Sequence, residues 1–132
     1  MMLRAAPLRL GRKSLLAQTR RCLSANLKAE IEAEISSNPI VIYSKSFCPF
    51  CSQTKAMFAA LETQPAPLIH ELDLLKDGAE RQQVLQQISG QRTVPNIFIG
   101  GEHLGGNSDL CDLAQDGSLA DMLDQAKVSY KH

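Results

Sequence analysis

The chain has 132 residues, 44% apolar and 21% charged, with a formal net charge of zero. That length suits one domain with its own core and not two, and no apolar run approaches the roughly 20 residues of a membrane-spanning helix. The zero hides an asymmetry. Residues 1–25 carry Arg4, Arg9, Arg12, Lys13, Arg20 and Arg21 and no acid, which leaves 8 basic against 14 acidic residues in the rest, a net charge of −6. An acidic domain argues against nucleic acid as a partner.

The first 25 residues are rich in Arg, Leu, Ala and Ser and lack a continuous apolar stretch. They read as an organelle transit peptide, the mitochondrion ahead of the plastid. The alternative is a disordered basic tail without an address, which would leave the protein in the cytoplasm. On a helix Arg9, Arg12, Lys13 and Arg20 would share a face, although Pro7 interrupts the apolar one. Arg21-Cys22-Leu23-Ser24 is a candidate processing region, and Cys22 would leave with it. Residues 26–132 then form the domain.

Leu27, Ile31 and Ile35 stand four apart and predict a helix over 27–36, with Asn26 as N-cap and Asn38-Pro39 as its end. Ile40-Val41-Ile42-Tyr43-Ser44 reads as a short buried strand. Pro49 suits a first helical position, having no N–H to orphan. That puts Cys48 at the N-cap of a helix over 50–62, with Ala56, Met57, Ala60 and Leu61 facing inward. Pro65 and Pro67 break the chain before a second strand, 68–74. Asp77 with Glu80 predicts a capping box opening a helix over 78–89, which Gly90 ends. Asn96-Ile97-Phe98-Ile99 is a third strand, Gly100-Gly101 a hairpin turn, and Glu102-His103-Leu104 a fourth strand. Gly105-Gly106 ends it, and helices over 107–115 and 118–128 follow, separated by Asp116-Gly117. The order α-βα-βα-ββ-αα makes the first strand pair parallel and the last an antiparallel hairpin. The class is α/β, a four-stranded mixed sheet flanked by helices. Phe58, Phe98 and Leu104 are core candidates.

Chemistry concentrates at Cys48-Pro49-Phe50-Cys51. A thiol at a helix N-terminus feels unpaired N–H groups and the positive end of the helix dipole, and Lys45 three residues earlier adds charge of the same sign. Both favour the reactive thiolate, so Cys48 is the candidate nucleophile. Cys51, one turn on, can attack a mixed disulfide formed on Cys48. A structural zinc site would need four ligands. Cys111, His70, His103 and His132 supply no second cysteine knuckle, and no metal is expected. Cys111 reads as a small core residue, with a regulatory thiol as its alternative, and the histidines as structural or surface residues.

Ser46-Phe47-Cys48-Pro49-Phe50-Cys51, Thr93-Val94-Pro95 and Gly105-Gly106-Asn107-Ser108-Asp109, in this order, resemble a dithiol glutaredoxin over about residues 27–130. Most members have Tyr where Phe50 stands. The resemblance implies a thioredoxin fold, a monomer, and glutathione as reductant, regenerated indirectly through glutathione reductase. It implies reduction of protein–glutathione mixed disulfides by Cys48 alone, and of protein disulfides by Cys48 with Cys51. Carried over residue by residue, Lys45 and Arg92 would meet glutathione carboxylates, with Gln82 near the glycyl end. Val94 would offer its backbone beside Thr93, and Pro95 would follow a cis bond. Gly106, Asn107, Ser108 and Asp109 would receive the γ-glutamyl end, and Phe50 would pack on the ligand. The chemistry is apt: Arg and Lys pair with carboxylates, and a helix N-terminus suits an anion. The plainer readings are a solvated charge for Arg92, one glutamine among several for Gln82, and a helix-start acid for Asp109.

Two other activities compete. Some glutaredoxins bridge an iron–sulfur cluster between protomers, a behaviour that goes with CGFS sites or a small residue in place of Pro49. Here Pro49 disfavours it. Thioredoxin itself would carry Trp before Cys48 and Gly-Pro between the cysteines, and this chain has neither.

Overall fold

A computed structural model describes the backbone of residues 12–131, with side chains described from residue 25. The start of the basic N-terminal segment, and His132, lie outside the described residues. The elements are α1 (Arg12–Ser37), β1 (Ile40–Ser44), α2 (Pro49–Leu61), β2 (Leu68–Glu71), a 3₁₀ turn (Leu72–Leu74), α3 (Gly78–Ser89), β3 (Asn96–Ile99), β4 (Glu102–Gly105), α4 (Asn107–Asp116) and α5 (Ser118–Gln125). Among the described residues no helix is long and apolar enough to cross a membrane.

The sheet has the order β2-β1-β3-β4. β1 runs parallel to β2 in the register Val41–Leu68 through Ser44–Glu71, and antiparallel to β3 in the register Ile40–Ile99 through Tyr43–Asn96. The parallel pair and the antiparallel hairpin match the sequence expectation. The central strands alternate between two cores, as side chains of period two must. Ile40, Ile42, Ile97 and Ile99 pack with Phe58 of α2, Leu110 of α4, and Leu119 and Leu123 of α5. Val41, Tyr43 and Phe98 face the other way, onto Ile31 and Ile35 of α1 and Val84 and Leu85 of α3. The fold is therefore three layers, α2, α4 and α5 on one face and α1 and α3 on the other.

Several boundaries differ from expectation. Asn26 is no N-cap, because α1 runs through it from Arg12. Between Arg12 and Ser37 there is no Gly or Pro to stop a helix rich in Ala, Leu, Arg and Glu. The second strand stops at Glu71 and tightens into the 3₁₀ turn, which buries Leu72. Asp77 precedes α3 without a side-chain cap. Its Oδ1 instead accepts from Arg81 Nε at 3.0 Å, so an i,i+4 ion pair takes the place of the capping box. Within α2 the buried residues are Cys51, Thr54 and Phe58, whereas Ala56 and Ala60 are exposed. Cys111 is half-buried, not in the core. The α5 helix ends at Gln125, short of 128, although Val128 is still buried in the core.

α1 is also held by polar contacts. Tyr43 Oη donates to Glu34 Oε1 at 2.5 Å, and His70 Nε2 lies 2.9 Å from Glu34 Oε2 while its ring stacks on Tyr43. Arg81 reaches Glu30 at 3.2 Å. With Ile31 fully buried, Ile31→Ala is expected to cost about 2–5 kcal/mol. A urea unfolding curve measures it; a helix merely appended to the domain would show almost no loss.

Candidate active site

β1 ends at Ser44, and after four intervening residues α2 begins at Pro49. Cys48 is its N-cap with extended backbone (φ −88°, ψ 120°), and Pro49 follows at the first helical position. Cys48 Sγ accepts the Cys51 backbone N–H at 3.3 Å, which caps the first turn of α2. The Cys48 N–H donates to Lys45 O at 3.1 Å, which closes the loop between strand and helix. Cys48 is half-buried, Cys51 fully buried, and both are free thiols 2.9 Å apart. Burial, with the Cys48 sulfur beside it, pushes the Cys51 thiol above its ordinary value of 9.0, opposed by hydrogen bonds to Lys45 and Ser44. The two sulfurs are thus unequal. One is presented to solvent at a helix N-terminus, and the other is held protonated behind it.

A second loop faces the first. The Val94–Pro95 bond is cis, and the Cys48 thiol reaches Val94 O at 3.9 Å. The antiparallel pairing of β1 with β3 brings this loop to the same end of the sheet as Cys48. A cleft of roughly 440 Å³ opens there, lined by Phe50, Gln91, Thr93, Val94, Pro95, Gly106, Asn107, Ser108 and Asp109. Eight of these nine are residues singled out from the sequence. Lys45, Gln82 and Arg92 do not line the cleft. Gln82 Nε2 donates to Arg92 O at 2.9 Å, which ties the first half of α3 to the loop that follows the helix.

The far wall of the cleft is the N-terminus of α4. Asp109 Oδ2 accepts the Gly106 N–H at 2.8 Å, which stations the carboxylate beside the first free amides of the helix. Gly105 makes room for it: at φ 124° a Cβ would meet Asp109 Oδ2 at 2.2 Å. Asn107 ties this wall to the thiol helix. Its Oδ1 accepts from Thr54 Oγ1 at 2.8 Å, and its Nδ2 donates to Gln53 Oε1 at 3.2 Å.

Gln91 was missed in the sequence. Its Nε2 donates to both Thr93 O (2.9 Å) and Pro95 O (2.8 Å), bracing the loop around the cis bond from within the cleft. Only its position between a helix-ending glycine and the Thr-Val-Pro loop hinted at this. Asp73 was missed too. Its Oδ1 accepts the Ser46 N–H at 2.9 Å and its Oδ2 accepts from Ser46 Oγ. These bonds hold the Asp73 carboxyl below its ordinary value.

The comparisons with known proteins agree with this geometry. The glutaredoxin family model matches residues 40–104. Monothiol glutaredoxin-S12, chloroplastic, of Arabidopsis thaliana is 39% identical over 91% of this chain and 66% of that protein. Glutaredoxin-C8 of Oryza sativa subsp. japonica is 39% identical over 76% of this chain and 74% of that protein. Among solved structures, the buckwheat glutaredoxin–glutathione complex superposes with a TM-score of 0.72 at 36% identity, covering 79% of this chain and 93% of that chain.

The raised Cys51 value has a sign. The fold favours the neutral thiol, so this contribution to stability is complete below pH 9.0, the ordinary value, and is lost as pH rises through the folded one. Unfolding free energy from urea curves is expected to fall above about pH 9, with a shallower fall in Cys51→Ala. At neutral pH, iodoacetamide with peptide mapping is expected to modify Cys48 in the native protein and Cys51 only after denaturation.

Proposed function

This chain belongs to the glutaredoxin family, and from that premise we propose that it is a glutathione-dependent thiol–disulfide oxidoreductase with Cys48 as its nucleophile. The observation that carries the reading is the inequality of the thiols: Cys48 caps α2 at the mouth of the cleft, while Cys51 is fully buried behind it.

On a protein–glutathione mixed disulfide, the Cys48 thiolate attacks the glutathione sulfur. The mixed disulfide breaks, the client leaves as a thiolate and takes a proton, and glutathione remains bonded to Cys48. A second glutathione thiolate attacks the glutathione sulfur, giving glutathione disulfide and free Cys48. The net exchange consumes one free glutathione: its sulfur enters glutathione disulfide as the client sulfur becomes a thiol, so Cys51 is not needed. On a protein disulfide, Cys48 bonds to one client sulfur and expels the other. Cys51 then attacks Cys48 Sγ, releases the reduced client and closes a Cys48–Cys51 disulfide, which two glutathiones reopen.

The cleft suits the glutathione moiety. Val94 offers backbone polar groups beside the cis bond, Phe50 an apolar wall, and Gly106, Asn107, Ser108 and Asp109 a helix N-terminus for the γ-glutamyl carboxylate, with the Asp109 carboxylate for its ammonium. Thr93 and Pro95 complete the near wall. Lys45, Gln82 and Arg92 stand outside the cleft and would serve the glycyl carboxylate from its rim. Support for a glutathione site also comes from the buckwheat relative, whose structure is a glutathione complex. Residues 1–25 act, in this reading, as an organelle address ahead of the 26–132 domain. The chloroplastic Arabidopsis relative speaks for the plastid, where composition alone put the mitochondrion first.

Assayed on a glutathionylated peptide, Cys48→Ser is expected to be inactive while Cys51→Ser keeps activity within a few-fold of the parent. On a protein disulfide both substitutions should abolish turnover. Comparable loss in both variants on the glutathionylated peptide would refute the single-thiol step.

A further inference from the structure

Cys48 has two flanks, and the reading above uses one. β1 lies between β2 and β3 in the sheet. The cleft belongs to the β3–β4 side, through residues 93–95 and 106–109. On the β2 side the neighbours are the loop Lys45–Phe47 and the 3₁₀ turn Leu72–Leu74, which the parallel β1–β2 pairing brings to the same end of the sheet. The double hydrogen bond from Ser46 to the Asp73 carboxylate locks loop and turn together. The residue after each bonded partner is a large apolar side chain in water: Phe47 is 72% exposed and Leu74 70%. They are the two most exposed large apolar residues described. Neither belongs to the two hydrophobic cores, and Phe47 is bonded directly to the nucleophile.

We propose that Phe47 and Leu74, held in place by the Ser46–Asp73 clamp, form the docking surface for the polypeptide of a client, which is an extended segment with an apolar residue next to its disulfide cysteine. This rests on the oxidoreductase reading of Cys48. Whatever covers the patch must also deliver a sulfur to Cys48, and glutathione has the opposite flank. A peptide sulfur arrives with chain on both sides, so part of that chain falls on the β2 flank. The domain's net charge of −6 disfavours an anionic lipid surface or a strongly acidic segment, and Asp73 with Lys45 beside it gives the patch itself no single sign of charge, which suits an apolar segment with neutral neighbours. The clamp matters because a rigid patch loses little freedom on binding.

The experiment compares kcat/KM for three disulfides under glutathione: a cystine-type small disulfide without peptide, and two disulfide-linked peptides with either Leu or Glu flanking the cysteine. The full chain is expected to prefer the Leu peptide by about five- to tenfold, as burial of one apolar side chain allows. The Phe47→Ser/Leu74→Ser double variant should cut that preference to under twofold and leave turnover of the small disulfide unchanged. Asp73→Asn, which weakens the clamp without removing the apolar pair, should give an intermediate preference. An unchanged preference in the double variant overturns the docking surface while leaving the oxidoreductase reading intact. So does a variant that changes only the sedimentation of the chain, since the patch would then join two copies. Failure of the parent to turn over even the small disulfide defeats the oxidoreductase reading itself.

Discussion

The turn from β1 into α2 at Cys48–Pro49 is the constraint on which the rest of the structure depends. A buried parallel strand must leave the sheet at its carboxyl end, and Pro49 can start a helix there because it brings no N–H to orphan. The residue before it must then be extended, which Cys48 is. Those two facts set a sulfur on the positive end of a helix dipole, at the rim of the sheet and open to solvent. Its own helix supplies the first stabilising donor, the Cys51 N–H. Replacing the proline would leave the sequence spacing intact and loosen the geometry that makes one sulfur different from the other.

The difference between the sulfurs is produced by packing. Cys51 sits on the inner side of α2 with Thr54 and Phe58, the side that seals one of the two cores. Burial keeps it neutral, and a neutral thiol is a poor competitor for the first substrate. A single helical turn thus separates a half-buried thiol from a fully buried one.

The walls around the pair are braced by side chains that do no chemistry. Gln91 holds the loop of the cis bond, Asn107 straps α4 to α2, Asp109 closes its own helix start, and Asp73 grips the loop before Cys48. Each bond joins segments far apart in sequence or closes a loop that no regular element supports. α1 has the same character. Its Ile31 and Ile35 complete one core, and Glu34 gathers Tyr43 and His70 from the two parallel strands.

The sequence by itself determined the sheet and the placement of the two cysteines at the start of a helix. Local codes carry both: alternation along the strands, Pro49 and Gly90 at helix boundaries, Gly100-Gly101 at the hairpin, and two cysteines a helical turn apart. Thr93-Val94-Pro95 and Gly106-Asn107-Ser108-Asp109, singled out by resemblance, line the cleft. What stayed hidden was decided at long range. Arg81 reaches Glu30 of α1, fifty-one residues away, a contact with no signal in the sequence. Ala56 and Ala60 sit at helical spacing but on the outer face, because the position of the sheet, not the pattern, chooses which stripe is buried. Gln91, Asp73 and the exposed pair Phe47 and Leu74 have no signature in one dimension. Their roles exist only after β1 is placed between β2 and β3, because that placement gives Cys48 two flanks with different surfaces.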